Sequence, residues 1–370
     1  MQIMTAEIRL YFDNEPASAE QLDLFRTVQI DQAIGMATEA ELEMELALDA
    51  NGQWVDFEQP FVQPYTRMRI EIKPGDGDFV PLIDGPLVGQ RLKLAAAPNQ
   101  SRLSLVVHDD SVQLNRVEQV VLYEDLTASD IAQQLFSEAG MEADVDSLDA
   151  ADGSLERVVV QRGTAMQLLR ELARRHGMFI YVRPGEMPGS SVGVFCRPDL
   201  APSQLPEILL IGQDRNLDDL NLEFDGLRPF TAAAGGVNAA DLTPLYVESA
   251  SGSQLPLGDE SSLALVEPAS LLLARTRETE NDLSAAVDAA VDYGAWAFTA
   301  NGELSAAYPA VLQPHTTVNL AGAGPMSGAY LISQVKHHFD NSSYRQQFSL
   351  RRNARSLVDI AGPAAGSGVF

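Results

Sequence analysis

Residues 315–352 read HTTVNLAGAGPMSGAYLISQVKHHFDNSSYRQQFSLRR, and they alternate apolar with polar side chains in three runs. Val318 and Leu320 alternate with Thr317 and Asn319. Ala329, Leu331, Val335 and Phe339 are expected on one face of the second run. Tyr344, Phe348 and Leu350 share a face of the third, against Arg345, Gln347, Ser349 and Arg351. A two-residue period with Gly-Ala-Gly-Pro and Asp-Asn-Ser-Ser breaks specifies an antiparallel meander with one buried face.

The pattern occurs once before, over residues 66–109. Met68, Ile70 and Ile72 are expected inward there, with Arg67, Arg69 and Glu71 outward. Leu87-Val88-Gly89-Gln90 aligns with Leu331-Ile332-Ser333-Gln334, and Leu103-Ser104-Leu105 with Phe348-Ser349-Leu350. Upstream of each copy lies another alternating run: Leu42, Met44 and Leu46 in the first, Leu220, Leu222 and Phe224 in the second. The chain reads as two copies of one β-domain.

Between the copies the composition changes. Thr127 with Asp130 opens a helix as N-cap and third residue, and Gly140 ends it. RVVVQR is a short strand, and Thr164 with Gln167 forms a capping box for a second helix closed by Gly177. MFIYVR and SVGVFCR make a hairpin around Pro184-Gly185. Residues 142–154 read as loop, and residues 240–270 as a long insertion or extended loop. Leu283, Val287, Ala290 and Val291 recur at helical spacing before Gly294. The expected fold class is α+β, mostly β. A first β-domain covers residues 1–116, a small α/β module 117–200, and a second β-domain 201–356 with a loop-helix insertion at about 240–296. A flexible tail is expected over 357–370.

At 370 residues the chain can support two or three cores. No run approaches the length needed to cross a bilayer, and MQIMTAEIRLYFDNE lacks the marks of a signal peptide. Cys196 is the only cysteine, which excludes an internal disulfide. The net charge of −27 falls mainly on residues 1–300, whereas residues 301–370 hold 3 acids against 5 bases. Such a surface opposes nucleic-acid and anionic-membrane binding. It suits either general solubility or a surface past which anionic cargo slides.

Chemistry is sparse. His337 and His338 are adjacent in a strand, so they point to opposite faces and cannot chelate together. His108-Asp109-Asp110 closes a strand, His176 precedes a capping glycine, and His315 has no evident partner. Glu41, Glu43 and Glu45 alternate on one strand face as solvated carboxylates do. Cys196 reads as buried. No nucleophile elbow, P-loop, HExxH or paired CxxC occurs, so no catalytic, cofactor-binding or metal-binding set is assigned. Two other classes stay in view. One is a tail-associated cell-wall glycan hydrolase using a carboxylate pair such as Asp218-Asp219 or Asp109-Asp110. The other is a glycan-binding sandwich, which two tryptophans poorly support.

Two stretches carry a family resemblance. One runs from Gly328-Ala-Tyr330-Leu331-Ile332 through Val335-Lys-His337 to Phe348-Ser-Leu350-Arg351-Arg352-Asn353-Ala354. The other is the central RVVVQRGTAMQLLRELARRHGMFIYVR. In this order, over roughly residues 5–355, the chain resembles the late-control D family: hub proteins of contractile phage tails and the hub part of VgrG-type spikes. The resemblance implies a non-enzymatic structural hub without cofactors. It implies a homotrimer whose two tube-protein-like antiparallel β-barrels per chain form a pseudo-hexameric ring around a channel. The implied partners are a trimeric spike protein, a hexameric inner tube or tube-initiator protein, and other baseplate proteins. Assembly in the cytoplasm into a phage tail or contractile injection particle follows, with no membrane insertion and no nucleic-acid specificity. VgrG-type chains continue into a spike domain and this one stops at Phe370, so the spike is expected as a separate protein or as a fusion that this variant lacks. The basic residues Arg351, Arg352 and Arg355 are the candidate contact for an acidic neighbour.

Overall fold

The computed structural model describes residues 6–49, 51–55, 57, 59–97, 100–148, 158–238, 241–274, 279–306, 308–340 and 343–357. Besides a two-residue strand at Glu15–Pro16, the first third forms six strands: β1 (Ala6–Phe12), β2 (Phe25–Ala33), β3 (Glu39–Glu45), β4 (Arg67–Pro74), β5 (Val80–Lys93) and β6 (Arg102–His108). They are ordered β2-β3-β6-β5-β4-β1, every neighbour antiparallel. The first half of the long β5 pairs with β4 and the second half with β6, so the sheet folds over on itself. All six strands supply the core, including Leu10, Ile30, Leu42, Ile70, Ile83 and Leu105. A folded-over sheet of this kind buries the apolar face that each strand's alternation creates.

The middle of the chain gives β7 (Gln119–Glu124), α1 (Ala128–Glu138), β8 (Glu142–Val145), β9 (Val158–Gly163), α2 (Ala165–His176), β10 (Phe179–Pro184) and β11 (Ser191–Cys196). Both helices begin with the expected capping boxes, and Gly177 closes α2 in the left-handed region at φ 63°. Residues 142–154 are not all loop: β8 pairs in parallel with β11, beneath α1. Gly193 in β11 makes room for α1 over this sheet. A Cβ there would lie 2.2 Å from the Phe136 ring, so only glycine lets the helix approach the sheet this closely.

The remainder forms β12 (Leu217–Phe224), β13 (Phe230–Val237), β14 (Pro244–Ser249), β15 (Ala269–Ala274), α3 (Glu280–Ala295), β16 (Phe298–Leu304), β17 (Thr317–Ala321), β18 (Gly328–Asp340) and β19 (Tyr344–Arg352). Residues 240–270, expected as extended loop, contain β14 and the start of β15, which flank β13 in a three-stranded sheet. Leu283, Val287 and Val291 of α3 cover that sheet, joined by Leu245, Val247 and Leu273. This layer is the insertion between β12 and β16, and it starts directly after Phe224.

Without it, the second unit repeats five of the first unit's strands in order; where β1 pairs antiparallel with β4, Ile208–Leu209 pairs in parallel with β17. Antiparallel neighbours run β12-β16-β19-β18-β17, matching β2-β3-β6-β5-β4 one for one. Two β-bulges match as well. The β2–β3 ladder slips between Phe25 and Thr27 opposite Met44 and Glu43, and the β12–β16 ladder between Leu217 and Asp219 opposite Leu304 and Glu303. The β5–β6 ladder slips between Leu87 and Gly89, and the β18–β19 ladder between Ile332 and Gln334.

These registers correct three expectations. Leu42 and Leu220 are not equivalent: β3 corresponds to β16, and β12 corresponds to β2. Leu87 aligns with Ile332, one residue from the sequence match. Ala329 and Leu331 do not share the face of Val335, because the extra residue at Ser333 reverses the alternation and turns Tyr330 and Ile332 into the core beside Val335. Finally, β18 pairs with β2 from Gln334 opposite Ala33 to Asp340 opposite Thr27, which joins both units in one sheet. Leu357 is exposed, and the expected flexible tail otherwise lies outside the described residues.

Candidate assembly interface

Eight strands run side by side in the order β12-β16-β19-β18-β2-β3-β6-β5. On one face the alternation is polar apart from Ala33, opposite Gln334, and Val106, opposite Glu41. Asn221, Asn301 and Ser349 stand opposite one another in successive strands, as do Asp219, Glu303, Gln347 and Lys336, with Asp31 and Glu39 beyond. Cross-strand partners hold this surface: Gln347 donates to Glu303 at 2.9 Å, Ser349 to Asn301 at 2.6 Å, and Arg91 to Glu41 at 2.7 Å. Lys336 reaches Asp31 across the seam at 3.4 Å. The result is one hydrophilic surface over both units, with opposite charges interleaved.

Behind it, the seam is locked by a buried polar chain. Gln32 donates to the Leu82 carbonyl at 2.9 Å, and its own oxygen meets His337 Nε2 at 3.3 Å. Only a protonated Nε2 suits that oxygen, so Nδ1 accepts from the Tyr344 hydroxyl at 2.8 Å. His337 is fully buried, and burial lowers its pKa to about 3. The alternation predicted that His337 and His338 diverge. It gave no sign that His337 is a neutral core residue, because its burial comes from β2, 300 residues away in sequence.

A second buried network holds the central hairpin against the first unit. Arg67 donates to both oxygens of Asp110, at 3.1 and 2.6 Å, and to Asp84 at 2.7 Å. Arg69 donates to Glu71 at 2.8 Å, to Asp84 at 3.2 Å and to the Gly185 carbonyl at 2.8 Å. Ser191 adds a bond to Asp110 at 2.6 Å. The expectation that Arg69 and Glu71 face outward fails in one respect: they are 3% and 6% exposed, Arg69 bonded to the 184–191 turn and Glu71 to Arg9, Tyr11 and Arg69. Charges so buried are tolerated because each is paired and bonded.

The remaining candidate groups scatter. His108 bonds Glu39 at 2.9 Å, Asp109 caps the Thr38 and Ser111 amides, and Asp110 belongs to the arginine network. His315 stacks on Tyr181 at 3.7 Å, edge-on to Phe179, and burial lowers its pKa to about 4. Cys196 is half-buried, and burial followed by nearby aspartates pushes its thiol up to about 11. Among the described residues, no group of three or more His, Cys, Asp or Glu could hold a metal ion. Nor is any helix among them long and apolar enough to cross a membrane.

The three C-terminal arginines have separate surroundings. Arg352 is 1% exposed and donates to the Leu257 and Ser327 carbonyls and to Ser356, stacked over Tyr330. Arg355 pairs with Glu260 at 2.7 Å. Arg351 is half-buried; burial and then the neighbouring Arg228 lower its pKa. Arg228 lies over the Tyr293 ring.

Solved structures of tail proteins share this architecture. A 43 kDa tail protein of prophage MuSo2 from Shewanella oneidensis superposes with TM-score 0.65 at 14% identity, over 94% of this chain and 99% of that one. A tail protein from Neisseria meningitidis MC58 gives 0.63 at 12% identity, over 94% and 97%. The E. coli c3393 protein gives 0.55 at 12% identity, over 94% and 76%; it is described as a type VI secretion component structurally similar to T4 tail proteins gp27 and gp5. At these identities the likeness establishes the shared fold. No curated protein sequence matches the chain. One family model spans β2 through β18, from residue 26 to residue 341, and by that match the chain belongs to the family described as the Alg8 N-terminal domain.

Proposed function

We propose that the chain is a non-enzymatic hub of a contractile tail or injection particle, of the late-control D kind. The observation that carries this reading is the repeat: two units with one strand order and matched bulges, fused into a single sheet. Three copies supply six such units, so a threefold assembly presents nearly sixfold geometry. A trimeric spike can then seat on one side and a hexameric inner tube or tube-initiator protein on the other, with other baseplate proteins around. The tail and secretion proteins that share the fold support this assignment.

The polar sheet face is the channel lining. Eight strands per copy make 24 in a three-copy ring; at about 4.8 Å spacing the circumference is about 115 Å and the diameter about 37 Å. A lining of Asn, Ser, Gln and interleaved charges lets an anionic cargo pass without a continuous basic track to hold it. Arg351 and Arg355, at the end of β19, are the contacts offered to an acidic neighbour; Arg352 holds the fold behind them. The ring assembles in the cytoplasm and stays in the particle.

Mass photometry tests this reading: a species at three times the 40.0 kDa chain mass is expected at micromolar concentration. Monomers alone would overturn it. Peptidoglycan turbidity separates the hub from a cell-wall hydrolase. Clearing that one Asp or Glu substitution abolishes would replace the proposal with the enzyme.

A further inference from the structure

Two arginines meet at one end of the polar sheet face without a carboxylate between them. Arg351 stands in the row Glu223, Thr299, Arg351, Leu331 across β12, β16, β19 and β18. Arg228 lies in the turn between β12 and β13. Its amide donates to the Asp225 carbonyl at 3.3 Å, and the Asp225 amide donates to the Ala297 carbonyl at 2.9 Å. Tyr293, in the last turn of α3, places its ring against the Arg228 guanidinium, 5.4 Å from the centroid. Gly294 beside it keeps the layers close, since a Cβ there would lie 2.7 Å from the Phe230 ring. A strand, a turn and a helix end thus position the three side chains.

The pair is unusual for this chain. Residues 201–300 hold 16 acids against 4 bases, so a carboxylate partner would be easy to supply. Other partly or fully buried arginines have one: Arg67 has Asp84 and Asp110, Arg69 has Glu71, and Arg355 has Glu260. Arg228 Nε is shut off from solvent and has no hydrogen-bond partner among the described residues. Arg351 makes no ion pair among them, and the adjacent Arg228 adds to burial in lowering its pKa. The acids nearby are engaged or distant. Asp225 accepts from the Leu227 amide at 3.0 Å, and Asp292 from the Ser253 hydroxyl at 2.6 Å. Glu223 stands two strand spacings from Arg351, about 10 Å. A buried N–H without an acceptor, next to a second cation, marks a place for an anion from outside.

We propose that Arg228, Arg351 and Tyr293 form a site for one carboxylate on an acidic segment of a partner protein. Arg228 is held by its ring contact and by no polar bond, so its guanidinium can turn the unpaired Nε edge to an incoming group. That edge, Nε with one terminal nitrogen, matches both carboxylate oxygens. Arg351 and the Tyr293 hydroxyl donate to the outward oxygen. One negative charge set between two positive ones replaces their repulsion with attraction. This deepens the hub reading by giving the chemistry of its acidic neighbour, and rests on that reading for which protein the neighbour is. Inorganic phosphate offers similar oxygens, and the experiment separates the two sources.

The test titrates the full chain with an acetylated hexaglutamate amide and with inorganic phosphate, by calorimetry at matched ionic strength. Hexaglutamate is expected to bind tighter than phosphate by about tenfold or more. Arg228→Gln and Arg351→Gln should each weaken it by about tenfold or more, while Arg26→Gln, at an exposed site on β2, should change it less than about twofold. Arg351→Lys keeps the charge and loses the fork, so its affinity should fall between. Adding glutarate should shift the Arg228 Nε–H resonance in heteronuclear NMR, which a purely structural arginine would not show. Near-UV circular dichroism confirms that each variant folds. Equal hexaglutamate binding by the wild type and both glutamine variants would overturn the site and leave the ring reading to mass photometry. Phosphate binding tighter than hexaglutamate would overturn the acidic partner as the source. Monomers that still bind hexaglutamate through these arginines would uphold the site and overturn the ring.

Discussion

At the scale of single residues, burial rather than charge decides what the notable side chains do. His337 is neutral in the fold, with a pKa of about 3 against about 6.5 in the unfolded chain. Between those values the unfolded state binds the extra proton, so stability is complete above about pH 6.5 and falls as pH drops toward 3. His315, at about 4, acts in the same direction. From pH 7 to pH 5 each should cost about 2 kcal/mol, readable by urea unfolding at the two pH values. His337→Gln should flatten that difference by about half, whatever it does to stability at pH 7. Arg352 offers a second contrast. Arg352→Ala strands two carbonyls and should cost about 3 kcal/mol, with Arg352→Lys recovering only part because it lacks the fork. Arg351→Gln should stay within about 0.5 kcal/mol in the same assay. Adjacent arginines look alike in a one-dimensional string; only the β18–β19 pairing and the 257 loop tell them apart.

At the scale of elements, bulges set the register on which the repeat depends. Deleting Ser333 would remove the extra residue and turn Tyr330 and Ile332 from the core to the polar face. The expected outcome is loss of cooperative unfolding and rapid proteolysis in the second unit, whereas Ser333→Ala should leave both unchanged. Gly193→Val should likewise unfold the central module, since a side chain there meets the Phe136 ring. Strand alternation, helix caps and the existence of a repeat were legible because each is written in neighbouring residues. Thr127–Asp130, Thr164–Gln167 and Gly177 were placed correctly for that reason. The equivalence of β3 with β16 was not legible. Its signal is an alternation shared by every strand, and the insertion separates β12 from β16 by more than 70 residues. Nor was the burial of Arg69, which bonds a turn more than 110 residues downstream. β8 and β14 are short, and their sequences carry turn-like Asp, Pro and Ser.

At the scale of the whole molecule, the central module is tied to the first unit by Arg67 and Arg69 and to the second by His315. Arg69→Ala leaves Asp84 and Glu71 buried with less compensation, and a loss of about 3 to 5 kcal/mol is expected in chemical unfolding. Limited proteolysis should then cut first near the 184–191 turn, the contact that Arg69 holds. Salt should also govern association. The chain carries −27, and screening between copies strengthens as ionic strength rises, so the trimer fraction should increase between low and physiological salt. A falling fraction would mean that attraction between copies outweighs the net repulsion.

In the proposed ring of three copies, the β2–β18 ladder would form half of the six junctions within single chains. Closing the circle then requires the meeting of three bodies instead of six, so its yield varies with the cube of subunit concentration rather than the sixth power. It also forbids circles with an odd number of units, a counting error that single-unit building blocks would be free to make.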